Sequence, residues 1–167
     1  MNVTRIIGIA FAAITLQWLA LQDLPLTPYG NPYIYLWAFL VIPFNTAKPT
    51  TYIIAFVIGS VVDSLEQSGG AHTMASLLTI AVKPFVENFL YGFKDENSNH
   101  RLSGLPLGNF VPMAAILVVF HHSVLFVSEN AGFNQVSELG LRILVSSIST
   151  IGLLILGHLL FSKRYAA

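Results

Sequence analysis

The charged residues divide the chain into long uncharged segments. The 167 residues include eight basic and eight acidic side chains. The longest segments without any of them cover residues 6–22, 24–47, 49–62, 67–82, 102–128 and 143–162. A membrane-spanning helix needs about 20 apolar residues. Charged residues form only 10% of the chain, against about 25% in soluble domains, so the pattern predicts an integral membrane protein.

We expect one integral membrane domain over residues 1–167, an all-α protein with six transmembrane helices in a compact bundle. Segments 49–62 and 67–82 have only 14 and 16 residues, lengths that a thin bilayer or burial between neighbours accommodates. We interpret them as a helical hairpin whose external tip runs from Asp63 to Gly70, with a flexible break at Gly69-Gly70. The first segment is expected to be an uncleaved span. The expected spans are approximately 6–22, 32–47, 49–62, 70–83, 110–128 and 142–162.

The basic residues indicate which helix ends are cytoplasmic. With six spans and a cytoplasmic N-terminus, seven of the eight Lys and Arg residues fall inside and Arg142 alone falls outside. Short cytoplasmic loops carry such an excess of positive charge, so both termini are predicted to be cytoplasmic. Glu138 precedes Arg142 by four residues, which lets the two side chains pair on one helical face.

The longest polar stretch, Lys94 to Asn109, is predicted to be a cytoplasmic loop. Before it, Pro84 stands at a position typical of a helix start, and Phe85 and Phe89 recur at helical spacing. Two interpretations stay open for this region. It is either an amphipathic helix along the membrane surface or a simple extension of the fourth span.

Composition and motifs exclude several function classes. The chain has no cysteine, which excludes disulfides, thiolate catalysis and cysteine-ligated metals. The net charge is zero and the largest basic cluster is Lys163-Arg164, so the chain lacks the electrostatic footprint of a nucleic-acid-binding protein. The sequence also contains no P-loop, nucleophile elbow or zinc-protease motif.

Polar residues inside or beside the spans are the candidates for chemistry. His121, His122 and His158 fall within spans, where an ionisable group is a functional hypothesis. Adjacent helical residues point about 100° apart, so His121 and His122 cannot present two ligands side by side. We favour structural hydrogen bonds for them over metal binding or catalysis. Asp63 is interpreted as a turn or partner-contact residue, with a direct proton or ligand site as the alternative, and His72 is placed in the same external turn.

Small residues recur every fourth position in four of the six spans, which lets helices approach closely in lipid. This repetition favours a compact bundle. The sets are Gly8/Ala12, Ala55/Gly59, Ala71/Ala75/Thr79 and Ser146/Thr150.

Four stretches together resemble the MreD family, the polytopic subunit of the bacterial rod-shape complex. They are "NPYIYLWAFLVIPF" (31–44), "GSVVDSLEQSGGAHTMA" (59–75), the Lys83-Pro84 pair and "FHHSVLFVSENAGF" (120–133). The second stretch carries the family's G-x3-D…G-x-H-x2-A pattern, and order and spacing match over nearly the full chain. Gly69 departs from the pattern, which would have a bulkier apolar residue there.

The resemblance implies a non-enzymatic scaffold of the bacterial inner membrane, without cofactor or metal. Its fold would be similar to the six-helix S components of energy-coupling-factor vitamin transporters. The implied partners are MreC, a single-span protein, and RodA with its penicillin-binding transpeptidase, reached directly or through MreC. MreB would act indirectly from the cytoplasmic side. The candidate structural or partner-contact residues are Gly59, Asp63, Gly70, His72, Ala75, Pro84, His121 and His122.

The likeness to S components also supplies an alternative function, a vitamin-like small-molecule binding subunit of a transporter. It would need a polar cavity near the outer face. The residues that would line this cavity are Asp63, Glu66, Gln67, His72, Asn130 and Asn134.

Overall fold

The computed structural model describes residues 3–21, 30–43, 46–92, 106–130 and 135–161. Within these ranges the protein is all-α, with six α-helices. They are α1 (Val3–Leu16), α2 (Trp37–Leu40), α3 (Lys48–Glu66), α4 (Ala71–Tyr91), α5 (Leu107–Glu129) and α6 (Val136–Phe161). Most of the predicted loop 94–109 lies outside the described residues, as do Asp23, Asn134, Lys163 and Arg164.

Helices α3 to α6 pack in chain order, each against the next, and α1 packs mainly against the short central segment that contains α2. This central segment, residues 32–43, is the most deeply buried stretch among the residues that the structure describes. Its Tyr35, Ala38 and Ile42 side chains are fully covered. The apolar core therefore surrounds the central segment.

Two of the helices in the described part of the chain are long and apolar enough to cross a membrane. The most apolar window of both α5 and α6 has a mean hydropathy of 2.1. The apolar run Ile6–Leu21 is shorter than these two helices. Helices α3 and α4 have 19 and 21 residues but are less apolar than α5 and α6. The six-span count therefore stays a prediction.

The expected second span over residues 32–47 differs most from the structure. Its described helical part is a 3-10 turn, Ile34–Leu36, followed by the four residues of α2. At about 1.5–2 Å per residue these seven residues extend roughly 10–14 Å, which is less than half of the bilayer core of about 30 Å. Pro32 and Pro43 bracket it, and proline disfavours helical geometry in the residue before it.

Side chains from other helices satisfy the backbone at the start of the central segment. Gln17 donates from Nε2 to the Pro32 carbonyl and accepts at Oε1 from the Ile34 N–H, both at 2.7 Å. The Tyr33 N–H donates to Thr150 Oγ1 at 2.9 Å. Irregular backbone at membrane depth is tolerated only where protein covers it and supplies such partners.

Lys83 caps the other end of the segment. Its Nζ donates to the Ile42 carbonyl at 2.7 Å and lies 3.1 Å from Glu87 Oε1, one turn further along α4. Both charged residues are buried, so this ion pair lies inside the protein. α4 passes through Pro84 to Tyr91 without a break. The helix start predicted at Pro84 is therefore wrong, and the region extends the fourth helix.

The predicted hairpin is formed by α3 and α4. Asp63 and Glu66 lie in the last turn of α3, and the connection runs from Gln67 to Gly70. Gly69 and Gly70 have φ angles of 64° and 99°, a region that favours glycine. The helices are longer than the uncharged segments because charged residues at their ends are also helical.

Three of the four small-residue sets face the bundle. A Cβ placed on Gly59 would lie 2.5 Å from Thr73 Cα, so α3 and α4 are in backbone contact there. The sets on α4 and α6 are also buried. Gly8 and Ala12 on α1 point outward instead, and nothing lies within 4 Å of a Cβ built on Gly8.

Candidate functional site

Asp63 binds the first turn of α4 from the end of α3. Its Oδ1 accepts from the His72 N–H and its Oδ2 from the Thr73 N–H, both at 2.9 Å. The hydroxyls of Ser68 and Thr73 donate to the same carboxylate. Partial burial raises the pKa of Asp63, but these four hydrogen bonds outweigh it and hold the pKa below 3.8. The carboxylate therefore acts as an N-cap supplied by a neighbouring helix.

His72 is buried inside the bundle. It is the second residue of α4 and is fully covered, so its predicted place in the external turn is wrong. Its Nε2 lies 3.0 Å from Glu66 Oε2 and 3.9 Å from Glu129 Oε1. The ring points inward because the Asp63 cap fixes the first turn of α4 against α3.

Tyr35 connects His72 to His121. Its hydroxyl lies 2.8 Å from His72 Nδ1 and 2.7 Å from His121 Nε2, and all three side chains are fully buried. On the far side, His121 Nδ1 lies 3.1 Å from Thr79 Oγ1. Sequence reasoning missed Tyr35; the available signal was a tyrosine pair, Tyr33 and Tyr35, between two prolines in an apolar segment.

His122 turns away from this chain of contacts. The two histidine rings stand at 82° to each other with centroids 5.9 Å apart. His122 Nδ1 lies 3.1 Å from Ser147 Oγ on α6, and its ring stacks on Phe126. Adjacent positions on α5 thus serve different partners. Among the described residues, no group of three His, Cys, Asp or Glu side chains is placed to hold a metal.

An ion pair between α5 and α6 completes the network of side-chain contacts around His72. Arg142 Nη2 lies 2.9 Å from Glu129 Oε2, and the guanidinium covers the Phe126 ring at 4.4 Å. The predicted pair with Glu138 is therefore wrong. Glu138 is exposed on the first turn of α6, whereas Glu129 at the end of α5 offers a half-buried partner. The network links α3, α4, α5 and α6.

The eight candidate residues divide into three places. Five of them build the α3–α4 hairpin: Gly59, Asp63, Gly70, His72 and Ala75. His121 joins them through Tyr35, and His122 lies beside it. Pro84 lies far along α4 and is exposed. His158, near the far end of α6, stacks on Phe110 with ring centroids 4.1 Å apart.

A groove of about 670 Å³ runs between α1 and α3, and its lining is almost entirely apolar. Phe11, Leu19 and Ile53 on its walls are 72%, 74% and 64% exposed. A more polar groove of about 750 Å³ lies beside Lys48, Lys83 and Glu87. Neither groove is lined by Asp63, Glu66 or His72.

The interior polar groups contact one another across helix boundaries, so the arrangement can hold helices in register and position protons. Comparisons with known proteins add nothing to this description. No family model, curated protein or solved structure matches the chain. Function must therefore be argued from the residues.

Proposed function

We propose that this protein is a non-enzymatic scaffold of the bacterial inner membrane, of the MreD type, that acts in rod-shape wall elongation. On this proposal it binds MreC and helps to regulate RodA and its penicillin-binding transpeptidase. MreB acts indirectly. The proposal includes six spans, with both termini in the cytoplasm.

The observation that carries the proposal is the structural use of the G-x3-D…G-x-H-x2-A residues. Gly59 allows α3 and α4 to touch, Asp63 caps α4, and Gly70 adopts a φ of 99° at the turn. His72 and Ala75 are buried on the inner face of α4. A pattern whose members all build one hairpin suits a scaffold that presents a fixed surface.

Exposed apolar residues support a membrane setting. Large apolar side chains cover the outside of α1, of the π-helical turn Gln17–Leu21 that follows it, and of α3. Phe11, Leu19 and Ile53 are each more than half exposed. Contiguous apolar patches of this kind are rare on soluble monomers and mark contact with lipid or protein.

The transporter alternative is less well supported. Asp63, Glu66 and His72, three of the residues expected to line a ligand cavity, bond to one another and to neighbouring backbone. Gln67 and Asn130 lie at the ends of helices α3 and α5. A ligand would have to displace these bonds before it could bind.

Co-expression with the neighbouring reading frames, followed by affinity purification in mild detergent, tests the proposal. The expected result is recovery of a single-span protein with a large external domain. The control is Gly8→Ala, an exposed change on α1 outside the α3–α4 hairpin, which should retain the partner. Purified protein that carries a stoichiometric small molecule and no protein partner would instead establish the transporter reading.

A further inference from the structure

The directions of the hydrogen bonds around Thr79 can be worked out from the contacts alone. Thr79 Oγ1 lies 2.7 Å from the Ala75 carbonyl oxygen. Two oxygens this close need a proton between them, and the carbonyl has none. The single hydroxyl proton of Thr79 is therefore used on Ala75.

This direction fixes the tautomer of His121. Thr79 Oγ1 can then only accept from His121 Nδ1 at 3.1 Å, so Nδ1 carries a proton. His121 is fully buried and touches no carboxylate among the described residues, and an unpaired buried charge is very costly. The ring is therefore neutral, with a bare Nε2 that accepts the Tyr35 hydroxyl proton at 2.7 Å.

The same argument applies to the contact between Tyr35 and His72. The Tyr35 hydroxyl has one proton, which it donates to His121 Nε2. The contact of 2.8 Å between Tyr35 Oη and His72 Nδ1 then requires a proton on Nδ1. The remaining nitrogen of His72, Nε2, faces Glu66 Oε2 at 3.0 Å. That contact needs a further proton of its own.

We infer that His72 is an imidazolium, a buried proton-binding site whose second proton lies on Nε2 between His72 and Glu66. Glu66 is 18% exposed at its side chain and also interacts with the Tyr33 hydroxyl, which suits an ionised acceptor. Glu129, at 3.9 Å, is a second anion facing the ring.

Titratable and charged side chains from the central segment and from α3, α5 and α6 surround His72. The facing titratable or charged groups are Tyr33 and Tyr35 of the central segment, Asp63 and Glu66 of α3, His121, His122 and Glu129 of α5, and Arg142 of α6. Asp63 is held by its own four hydrogen bonds. Of the remaining charges, His72 and Arg142 balance Glu66 and Glu129, one from each of four helices. If the proton leaves, Glu66 and Glu129 remain beside a neutral ring, with Arg142 paired only to Glu129. The proton thus stabilises the packing of the four helix ends that meet around His72, those of α3, α4, α5 and α6.

Nitrogen NMR of histidine-labelled protein in detergent tests the assignment. At neutral pH we expect both ring nitrogens of His72 to show directly bonded protons, and His121 to show a proton on Nδ1 only. A bare Nε2 on His72 would overturn the inference. The test depends only on hydrogen-bond directions, so its failure would leave the proposed scaffold function standing.

Glu66→Gln is the matched variant. The amide can donate to a bare Nε2, so the variant keeps every contact of His72 but removes the need for the second proton. We expect Nε2 of His72 to become bare while the His121 resonances stay unchanged. Retention of both protons on His72 in this variant would show that Glu66 does not hold the proton and would contradict the inference.

Discussion

Replacement of Gly59 by alanine tests the contact on which the α3–α4 hairpin depends. The added Cβ would lie 2.5 Å from Thr73 Cα, 2.9 Å from Thr73 N and 3.0 Å from the His72 carbonyl oxygen. All three are backbone atoms, so no side chain can rotate away. Carbon atoms in contact prefer about 3.5–4.0 Å, so α3 and α4 must separate by roughly 1 Å.

The cost has two parts. Overpacking of this kind costs about 1–3 kcal/mol. Asp63 lies one turn beyond Gly59, and a shift of roughly 1 Å would stretch its 2.9 Å bonds to His72 N and Thr73 N beyond useful hydrogen-bond range. Loss of a cap costs about 0.5–2 kcal/mol. Alanine returns about 0.8–1 kcal/mol in helix propensity, so we expect a net destabilisation of about 0.5–4 kcal/mol.

The assay compares unfolding of purified Gly59→Ala and Gly8→Ala proteins in the same detergent. Gly8 is exposed in the middle of α1 with no atom within 4 Å of the added Cβ. Its substitution should be neutral or stabilising by up to about 1 kcal/mol. Equal stability of the two variants would refute the argument that backbone contact at Gly59 determines the hairpin.

Four further predictions concern Asp63, Lys83 and the topology. Asp63→Asn should lower the free energy of unfolding by about 1–3 kcal/mol, because the amide NH2 group cannot accept the hydrogen bond that the Thr73 N–H donates. Unchanged stability would contradict the capping role of Asp63. The contribution of Asp63 should also be full above about pH 4 and lost at lower pH, since its pKa is held below 3.8, and the acid-side slope of unfolding should flatten in Asp63→Asn. Lys83→Met should remove the hydrogen bond to the Ile42 carbonyl and the ion pair with Glu87. We expect it to lower the free energy of unfolding by about 3–5 kcal/mol, measured in the same detergent, with Lys48→Met at an exposed lysine as the control. A cysteine at Ser68 should react with an impermeant maleimide in whole cells, and one at Ser98 only after lysis; the reverse would overturn the predicted orientation.

The helices themselves were largely predictable from the sequence. Uncharged segments indicated α1, α3, α4, α5 and α6 because apolar runs of that length favour helix in a low-charge chain. The central segment was not predictable as a 3-10 turn followed by one turn of α-helix. Its prolines were visible, but the side chains that satisfy its broken ends, Gln17, Thr150 and Lys83, come from distant parts of the chain.

The site was predictable where local geometry decides it. Asp63, Gly70 and the divergent directions of His121 and His122 follow from helix ends, turns and helical periodicity. Partners across helices did not follow. Arg142 pairs with Glu129 on α5 instead of Glu138 on its own helix, because burial strengthens the cross-helix contact. His72 looked like a turn residue because the start of α4 could not be separated from the glycine turn.

Depletion of this protein in the cells that produce it tests the proposed scaffold function most directly. If it is a scaffold of wall elongation, cells should widen and lose rod shape as the protein disappears, and a plasmid copy should restore normal width. A copy with Gly59→Leu should fail to restore it, while Gly8→Ala should succeed at equal membrane abundance. Cells that keep their width and rod shape after complete depletion would contradict the account.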